Sequence, residues 1–248
     1  MADEELCALG RPEAVLPWIE AYRPGLLPRT PARERIPRDA WRSALAQPDR
    51  APDWSAFFAN ELEDAPWRTV LGRWVGRLAP GFCASASHGV IRVGHAARSL
   101  TISDSPPRRR ELADALASWT STYQELPTSR GGATRALRPH DAILQVPVVP
   151  PEDRRFSGTI VSSLDALGDF PAFAPVIGLL DVGGDPAALV VELAEVFARV
   201  YLANTHDLLT AIVFVHGVTG VAALGNLLPH LDQATARAAL GYAWQAGC

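Results

Sequence analysis

The chain has 248 residues, of which 48% are hydrophobic and 20% charged, and it carries a formal net charge of −4. This composition is typical of a soluble globular protein with a sizeable core, and the single run of three arginines at 108–110 argues against a nucleic-acid-binding protein. All 23 basic side chains are arginine. The lack of lysine excludes a lysine Schiff base, a carbamylated lysine and a lysine general base within this sequence.

Three features predict a cytoplasmic protein. Its cysteines, Cys7, Cys83 and Cys248, are odd in number and widely spaced, so they predict neither a disulfide framework nor a metal-binding motif. The N-terminus is acidic, unlike a secretory or transit signal. Residues 208–228 carry no charge and are long enough to cross a bilayer, but they contain His216 and several glycines and lack flanking arginines. We therefore expect a buried central helix there and no membrane insertion.

Taken in chain order, the hydrophobic periodicity predicts helices and no strands, because period-two alternation and hairpin dipeptides are missing. Residues 24–37 and 126–155 are rich in proline and arginine and predict irregular loops. Asp185 and Asp232 are expected to cap the helices that follow them, and Asn204 or Thr205 is the expected cap of the uncharged segment. The sequence thus predicts an all-α, single-domain multi-helix bundle with long irregular loops over residues 1–248. The predicted helices cover approximately residues 12–22, 39–45, 53–62, 66–78, 84–100, 105–123, 158–167, 185–201, 208–228 and 232–248.

The segment 88–100 is the most informative part of the sequence for function. His88 and His95 are seven residues apart, which on a helix falls only about 20° short of two full turns. Arg92, four residues after His88, belongs to the same face. Polar groups on an otherwise apolar helix need partners. The pattern therefore predicts a pocket that holds a metal ion or an oxygen-rich substrate.

His206 and His216 form a second pair with a less regular spacing. Ten steps on a straight helix end about 80° away from a whole number of turns and advance about 15 Å. His88 and His95 are separated by about 10.5 Å along their axis, and a metal–imidazole bond is only about 2.0–2.1 Å long. Either pair could bind one ion only if its helix bends. For His206 and His216, the helix could instead begin after His206. Otherwise the four histidines serve different points of one cavity.

Other interpretations apply to three of the histidines. His216 could be a core histidine that is bonded to a backbone carbonyl or to Thr219. His140 follows a proline in a loop and is expected at the surface. His230 stands at a helix end, where a structural role is expected.

Six short motifs resemble the questin oxidase-like family, and the resemblance covers nearly the whole chain from about residue 6 onward. The elements at 88–92 and 215–219 are the more specific ones. The matching segments read DAWRSAL at 39–45, PWRTVL at 66–71, HGVIR at 88–92, HAAR at 95–98, VHGVTG at 215–220 and LPHL at 228–231.

The resemblance implies an oxidoreductase that uses O₂ to oxidise or cleave a ring of an anthraquinone-like aromatic polyketide, drawing on NADPH. At least one relative is a non-haem iron dioxygenase whose metal is held by histidines and a carboxylated lysine. By position, His88, His95, His206 and His216 are the candidate Fe(II) or substrate contacts here, with His88 and His95 as candidate acid/base groups. Arg92 would stabilise a phenolate or peroxide oxygen. A homodimer is the expected assembly, if any.

The family pattern extends beyond this sequence at both ends. Family members usually begin earlier, with an Asn-His-x-Pro-Met element, and continue past Cys248 into an Asp-Glu-His-Ala-Ile-Lys element. The sequence is therefore expected to be a fragment, a truncated gene product or a divergent member with fewer ligands, and to carry a partial metal site if the absent elements complete that site. Two alternatives stay open: a metal-free, NADPH-dependent oxidase with histidine acid/base groups, and an inactive module that binds an aromatic ligand or a protein partner.

Overall fold

The computed structural model describes residues 2–129, 136–155 and 158–248, and in these ranges all regular structure is helical. The predicted all-α bundle is thereby confirmed. An isolated parallel bridge joins Leu137 and Leu180, and no strand forms within the described ranges. Residues 130–135, part of the predicted loop 126–155, lie outside the described residues. The helices are α1 (Ala2–Ala8), α2 (Val15–Tyr22), α3 (Ala51–Asp64), α4 (Trp67–Leu78), α5 (His88–Ile102), α6 (Pro106–Ser121), α7 (Pro139–Ala142), α8 (Ile160–Asp165), α9 (Pro186–Asn204), α10 (Leu208–Leu227) and α11 (Gln233–Gly247).

Several helix boundaries differ from the predicted ones. The predicted segment 39–45 forms only a 3₁₀ turn, Trp41–Ala44, and Pro171–Leu179 is a longer 3₁₀ stretch that the pattern does not predict. Helices α1 and α7 are likewise additions to the predicted set. Short helical turns of this kind lack the length over which a hydrophobic period can be read.

Side-chain caps explain where the later helices begin. Asp185 caps α9 by accepting hydrogen bonds from the backbone N–H groups of its first turn, and Asp232 does the same for α11, as predicted. The predicted cap of α10 at Asn204 or Thr205 is wrong. Asp207 caps this helix instead, in a reciprocal capping box with Thr210, since a carboxylate three residues before a threonine satisfies two N–H groups at once.

The core is formed by buried side chains of α3, α4, α5, α6, α9, α10 and α11. Within it, a cluster of aromatic side chains joins α3 to α4. The indole rings of Trp54 and Trp74 are fully buried and meet edge to face at 5.8 Å between centroids. The fully buried aromatic side chains are Trp54, Phe58, Trp74, Trp119, Phe197 and Trp244.

Helix α10 is less covered than a buried central helix should be. Most of its second half, from Gly220 onward, is buried on one face, but Leu208 is 77% exposed and Ile212 is 46% exposed. With the turn that follows it, Leu208–His230 has a mean hydropathy of 2.0 and only 22% of its most apolar window is buried. By length and composition this helix could cross a membrane. The expectation of a buried helix is therefore right for its second half and wrong for its first.

Candidate functional site

Helix α5 lies between α6 and α10 and packs tightly against both, because glycines face the two neighbours. A β-carbon on Gly89 would lie 2.8 Å from the indole of Trp119 in α6. One on Gly94 would lie 2.6 Å from the carbonyl oxygen of Ala223 in α10. Both distances are shorter than van der Waals contact between packed atoms. These contacts fix the rotation of α5 about its axis and turn its opposite face outward.

The outward face of α5 carries the three polar residues that the sequence singles out. His88 is exposed, and Arg92 and His95 are half-buried, while the residues between them, such as Val90 and Val93, are buried. The spacing of four and seven residues thus places them on one face, as predicted. Each of the three contacts a different helix, so they do not form a single cluster.

The central contact of the site joins His88 of α5 to His216 of α10. Their Nε2 atoms are 3.1 Å apart, and the ring centroids are 4.9 Å apart. The other ring nitrogen of His216, Nδ1, lies 2.5 Å from the carbonyl oxygen of Ile212, one turn earlier in α10. Three groups therefore stand in a row: a backbone carbonyl, His216 and His88.

The order of donors in this row follows from the carbonyl. A carbonyl oxygen can only accept, so Nδ1 of His216 carries the proton and donates it to Ile212. In the neutral ring, Nε2 of His216 is then an acceptor, and Nε2 of His88 must donate to it. Nδ1 of His88 is left with an unshared electron pair. The geometry thus makes His88 the terminal base of the row.

The protonation state of His88 agrees with that role. Partial burial of its ring, and to a smaller extent the nearby His216, lower the pKa of His88 below its usual value of 6.5. Both effects disfavour the imidazolium form. His88 is consequently neutral at neutral pH and able to accept a proton.

A strained turn sets the position of His88 as the first residue of α5. Ser85, Ala86 and Ser87 have φ angles of 50°, 54° and 65°, three left-handed residues in succession. Such a conformation costs a non-glycine residue about 1–2 kcal/mol. Ser87 is buried against Gly220 of α10, where an added β-carbon would lie 3.3 Å from that of Ser87. Packing on α10 therefore maintains the turn.

Arg92 is held by Glu111 of α6 rather than left free at the site. Its Nε and Nη2 atoms donate to the two carboxylate oxygens at 2.7 and 2.9 Å. This bidentate pair raises the pKa of Arg92. Its remaining nitrogen, Nη1, makes no hydrogen bond within the described part of the chain. Arg92 can therefore still offer a cationic N–H group.

His95 faces the N-terminal helix. Its Nδ1 lies 3.3 Å from a carboxylate oxygen of Glu5 in α1, and Arg98 donates to the same oxygen at 2.8 Å. Glu5 thus ties α1 to the outward face of α5. This contact supplies the partner that a polar residue on an apolar helix requires.

His206 lies outside the helices, in the break between α9 and α10, and its side chain is exposed. Among residues 2–129, 136–155 and 158–248, no group of three His, Cys, Asp or Glu side chains is placed to hold a metal ion. The four histidines proposed as ligands are therefore not gathered at one point. His88 and His216 meet, and His95 is bonded elsewhere.

The His88–His216 pair fits part of an iron site. Two nitrogens bonded to one ion at about 2.0–2.1 Å lie about 2.8–3.4 Å apart when the angle at the metal is between octahedral and tetrahedral. The observed separation of 3.1 Å falls in that range. A non-haem Fe(II) site of the usual kind also needs a carboxylate, which the described residues do not place beside the pair. The described residues therefore do not form a complete iron site.

The remaining two histidines lie at the predicted surface and helix-end positions, although His140 belongs to the short helix α7 and not to a loop. The side chain of His140 is 73% exposed and approaches only the adjacent Asp141. His230 packs edge to face on Trp67 at 4.9 Å between centroids, and its Nε2 lies 3.3 Å from the hydroxyl of Thr101. His230 therefore joins the end of α10 to α4 and α5.

Three features of the site escape sequence reasoning. Glu111 and Glu5 look like ordinary surface carboxylates of their helices, and only packing brings them to Arg92 and His95. The left-handed turn at 85–87 contains no glycine or asparagine that would signal it.

No protein-family model, curated protein or solved structure matches the chain.

Proposed function

We propose that the protein is an oxidoreductase that oxidises a ring of an aromatic polyketide with O₂, and that the His88–His216 pair is its acid/base group. The observation that carries the proposal is the 3.1 Å contact between two imidazoles, one of which is fixed by a backbone carbonyl. Two hydrogen-bonded histidines, of which the terminal one is exposed, suit proton transfer to and from a bound phenol. The histidine motifs that resemble questin oxidase-like proteins support the choice of substrate.

In this proposal Nδ1 of His88 removes a proton from a phenolic hydroxyl. The resulting imidazolium of His88 donates through Nε2 to His216, a charge-assisted hydrogen bond of about 1.5–3 kcal/mol. The phenolate is the electron-rich form of the ring and the one that reacts with O₂; both oxygen atoms enter the ring as a C–C bond breaks, so the step needs no external reductant. Arg92 stands one turn further along α5, and its unused Nη1 offers a positive charge to the developing oxyanion.

Neither iron nor NADPH enters these steps. The described residues supply two imidazoles and no third ligand for iron. The sequence has no Gly-x-Gly-x-x-Gly fingerprint for a nicotinamide nucleotide. The 3.1 Å separation does favour a second candidate, in which His88 and His216 are two adjacent ligands of Fe(II) and other groups complete the site.

Oxygen consumption with a panel of hydroxyanthraquinones tests the proposal. The purified protein is assayed in chelator alone, with NADPH, and after anaerobic loading with Fe(II). We expect turnover in chelator, and a loss of about 100-fold or more in kcat for His88→Gln, since general-base catalysis contributes about that much. His140→Gln, at an exposed and distant histidine, is the matched control and should leave kcat unchanged.

Other results would select the alternatives. Turnover that requires Fe(II), with iron lost from both His88→Gln and His216→Gln, would replace the acid/base role by metal ligation. Turnover that requires NADPH would favour the metal-free oxidase. Tight binding of the quinones without oxygen consumption in any condition would indicate a binding module and would contradict the proposal.

A further inference from the structure

An open groove of about 890 Å³ lies between the irregular segment 26–32 and helices α3 and α6. One wall is apolar: Leu27 is 91% exposed and Leu26 is 58% exposed. Neither His88 nor His216 lines the groove. Large apolar side chains at this exposure lose the favourable free energy of burial. They would regain it under an apolar ligand body.

The opposite wall carries more positive than negative charge. Asp114 accepts hydrogen bonds from both terminal nitrogens of Arg29 and from Ser55. Arg29 therefore balances the charge of Asp114. In the same wall, Arg92 is balanced by its bidentate partner Glu111. The remaining cation, Arg110, has no carboxylate of its own in this wall and shares Asp114 with Arg29, which leaves a net charge of one positive unit.

Arg110 is the surplus charge of the groove. Its Nε forms an ion pair with Asp114 at 3.5 Å, but Asp114 is already hydrogen-bonded to Arg29, so the two cations share one carboxylate. The neighbouring arginines differ, because Arg109 is paired with Asp104 and Arg108 donates to backbone carbonyls. A guanidinium has five N–H donors in a fork that matches a carboxylate. Those of Arg110 are available.

Two further observations favour an anion beside Arg110. The residue belongs to the first turns of α6, where the helix dipole adds positive potential to the incompletely balanced charge of Arg110. The groove also contains the hydroxyl of Ser118, which has no hydrogen-bond partner in the part of the chain that the structure describes. An oxygen-bearing ligand would satisfy both groups.

We infer that this groove binds an amphipathic organic anion, an aromatic or aliphatic body with one carboxylate. The body covers Leu26 and Leu27, and the carboxylate pairs with the guanidinium of Arg110. Ser118 supplies a neutral hydrogen bond. The groove shares Arg92 with the proposed catalytic site, but neither His88 nor His216 lines it, so binding here does not depend on catalysis by that pair.

Calorimetric titration with 2-naphthoate and its neutral isostere 2-naphthamide tests the inference on the full chain. We expect the acid to bind about 10-fold more tightly than the amide, the gain typical of one charge-assisted hydrogen bond. Arg110→Gln should remove that preference. Arg199→Gln is the matched control, because Arg199 is an exposed arginine of α9 paired within its own helix, and it should change neither affinity.

Two more measurements keep the test decisive. Leu27→Ser should weaken the acid and the amide alike, and His88→Gln should weaken neither, which separates this site from the proposed catalytic pair. Both Arg110 and Leu27 are exposed, so unchanged unfolding midpoints are expected for their variants. Equal affinities for acid and amide, no binding of either, or an unaltered preference in Arg110→Gln would each overturn the inference.

Discussion

A β-carbon on Gly94 would lie 2.6 Å from the carbonyl oxygen of Ala223, so α5 and α10 are in backbone contact at this point. Six residues before Gly94, the same helix brings His88 to within 3.1 Å of His216. The candidate site thus depends on a close approach of two helices that only a glycine permits. Its geometry is set by backbone packing rather than by the histidines themselves.

Gly94→Ala should therefore destabilise the protein although alanine is the better helix former. We expect the free energy of unfolding, measured with urea, to fall by about 1–3 kcal/mol, the usual cost of overpacking a core. Gly76→Ala is the matched control on the exposed face of α4, where the nearest atom to a new β-carbon is 3.5 Å away. It should gain about 0.5–1 kcal/mol of helix stability. A similar change in both variants would contradict the close approach.

The environment of His88 predicts a lowered pKa for its imidazole. His88 should titrate below 6.5, because burial and His216 lower its pKa. In His216→Gln one of these causes is gone, so the pKa of His88 should rise. Ring C–H signals in NMR spectra recorded across pH measure the pKa of His88 in the unaltered protein and in His216→Gln. A pKa of His88 at or above 6.5 in the unaltered protein would refute the assignment.

Sequence reasoning predicts correctly those features that depend only on the geometry of a single helix. The caps Asp185 and Asp232 and the shared face of His88 and His95 all follow from local spacing, which the backbone geometry of a helix fixes. These features need no knowledge of the tertiary structure. The correct all-α prediction likewise rests on a local pattern, the helical hydrophobic period. The shared face of His88 and His95 is the reason for the choice of α5 as the candidate site.

The partners of the site could not be predicted, because they come from distant parts of the chain. His88 and His216 are 128 residues apart, and Arg92 and Glu111 belong to different helices. Periodicity offers His95 as the partner of His88, whereas the structure pairs His88 with a histidine of α10. Which faces of two helices meet is decided by packing of the whole core.

The lowered pKa of His230 predicts that the protein loses stability in mild acid. Burial, and to a smaller extent Arg68, lower its pKa below 6.5. The unfolded chain therefore binds a proton more readily than the folded one, and stability falls as pH decreases through about 6.5 until the folded pKa is reached. His88 acts in the same direction. Urea midpoints measured across this range should drop less in His230→Gln, and an equal drop would show that His230 is not responsible.

The left-handed turn before α5 predicts a stabilising substitution. Ala86 has a φ of 54°, a conformation that glycine adopts without steric cost. Ala86→Gly should therefore raise the free energy of unfolding by about 0.5–1 kcal/mol, the relief of strain exceeding the added freedom of the unfolded chain. Ala222→Gly, at an exposed position within α10, is the matched control and should lower it by about 1 kcal/mol. Destabilisation by both substitutions would show that Ala86 is not strained.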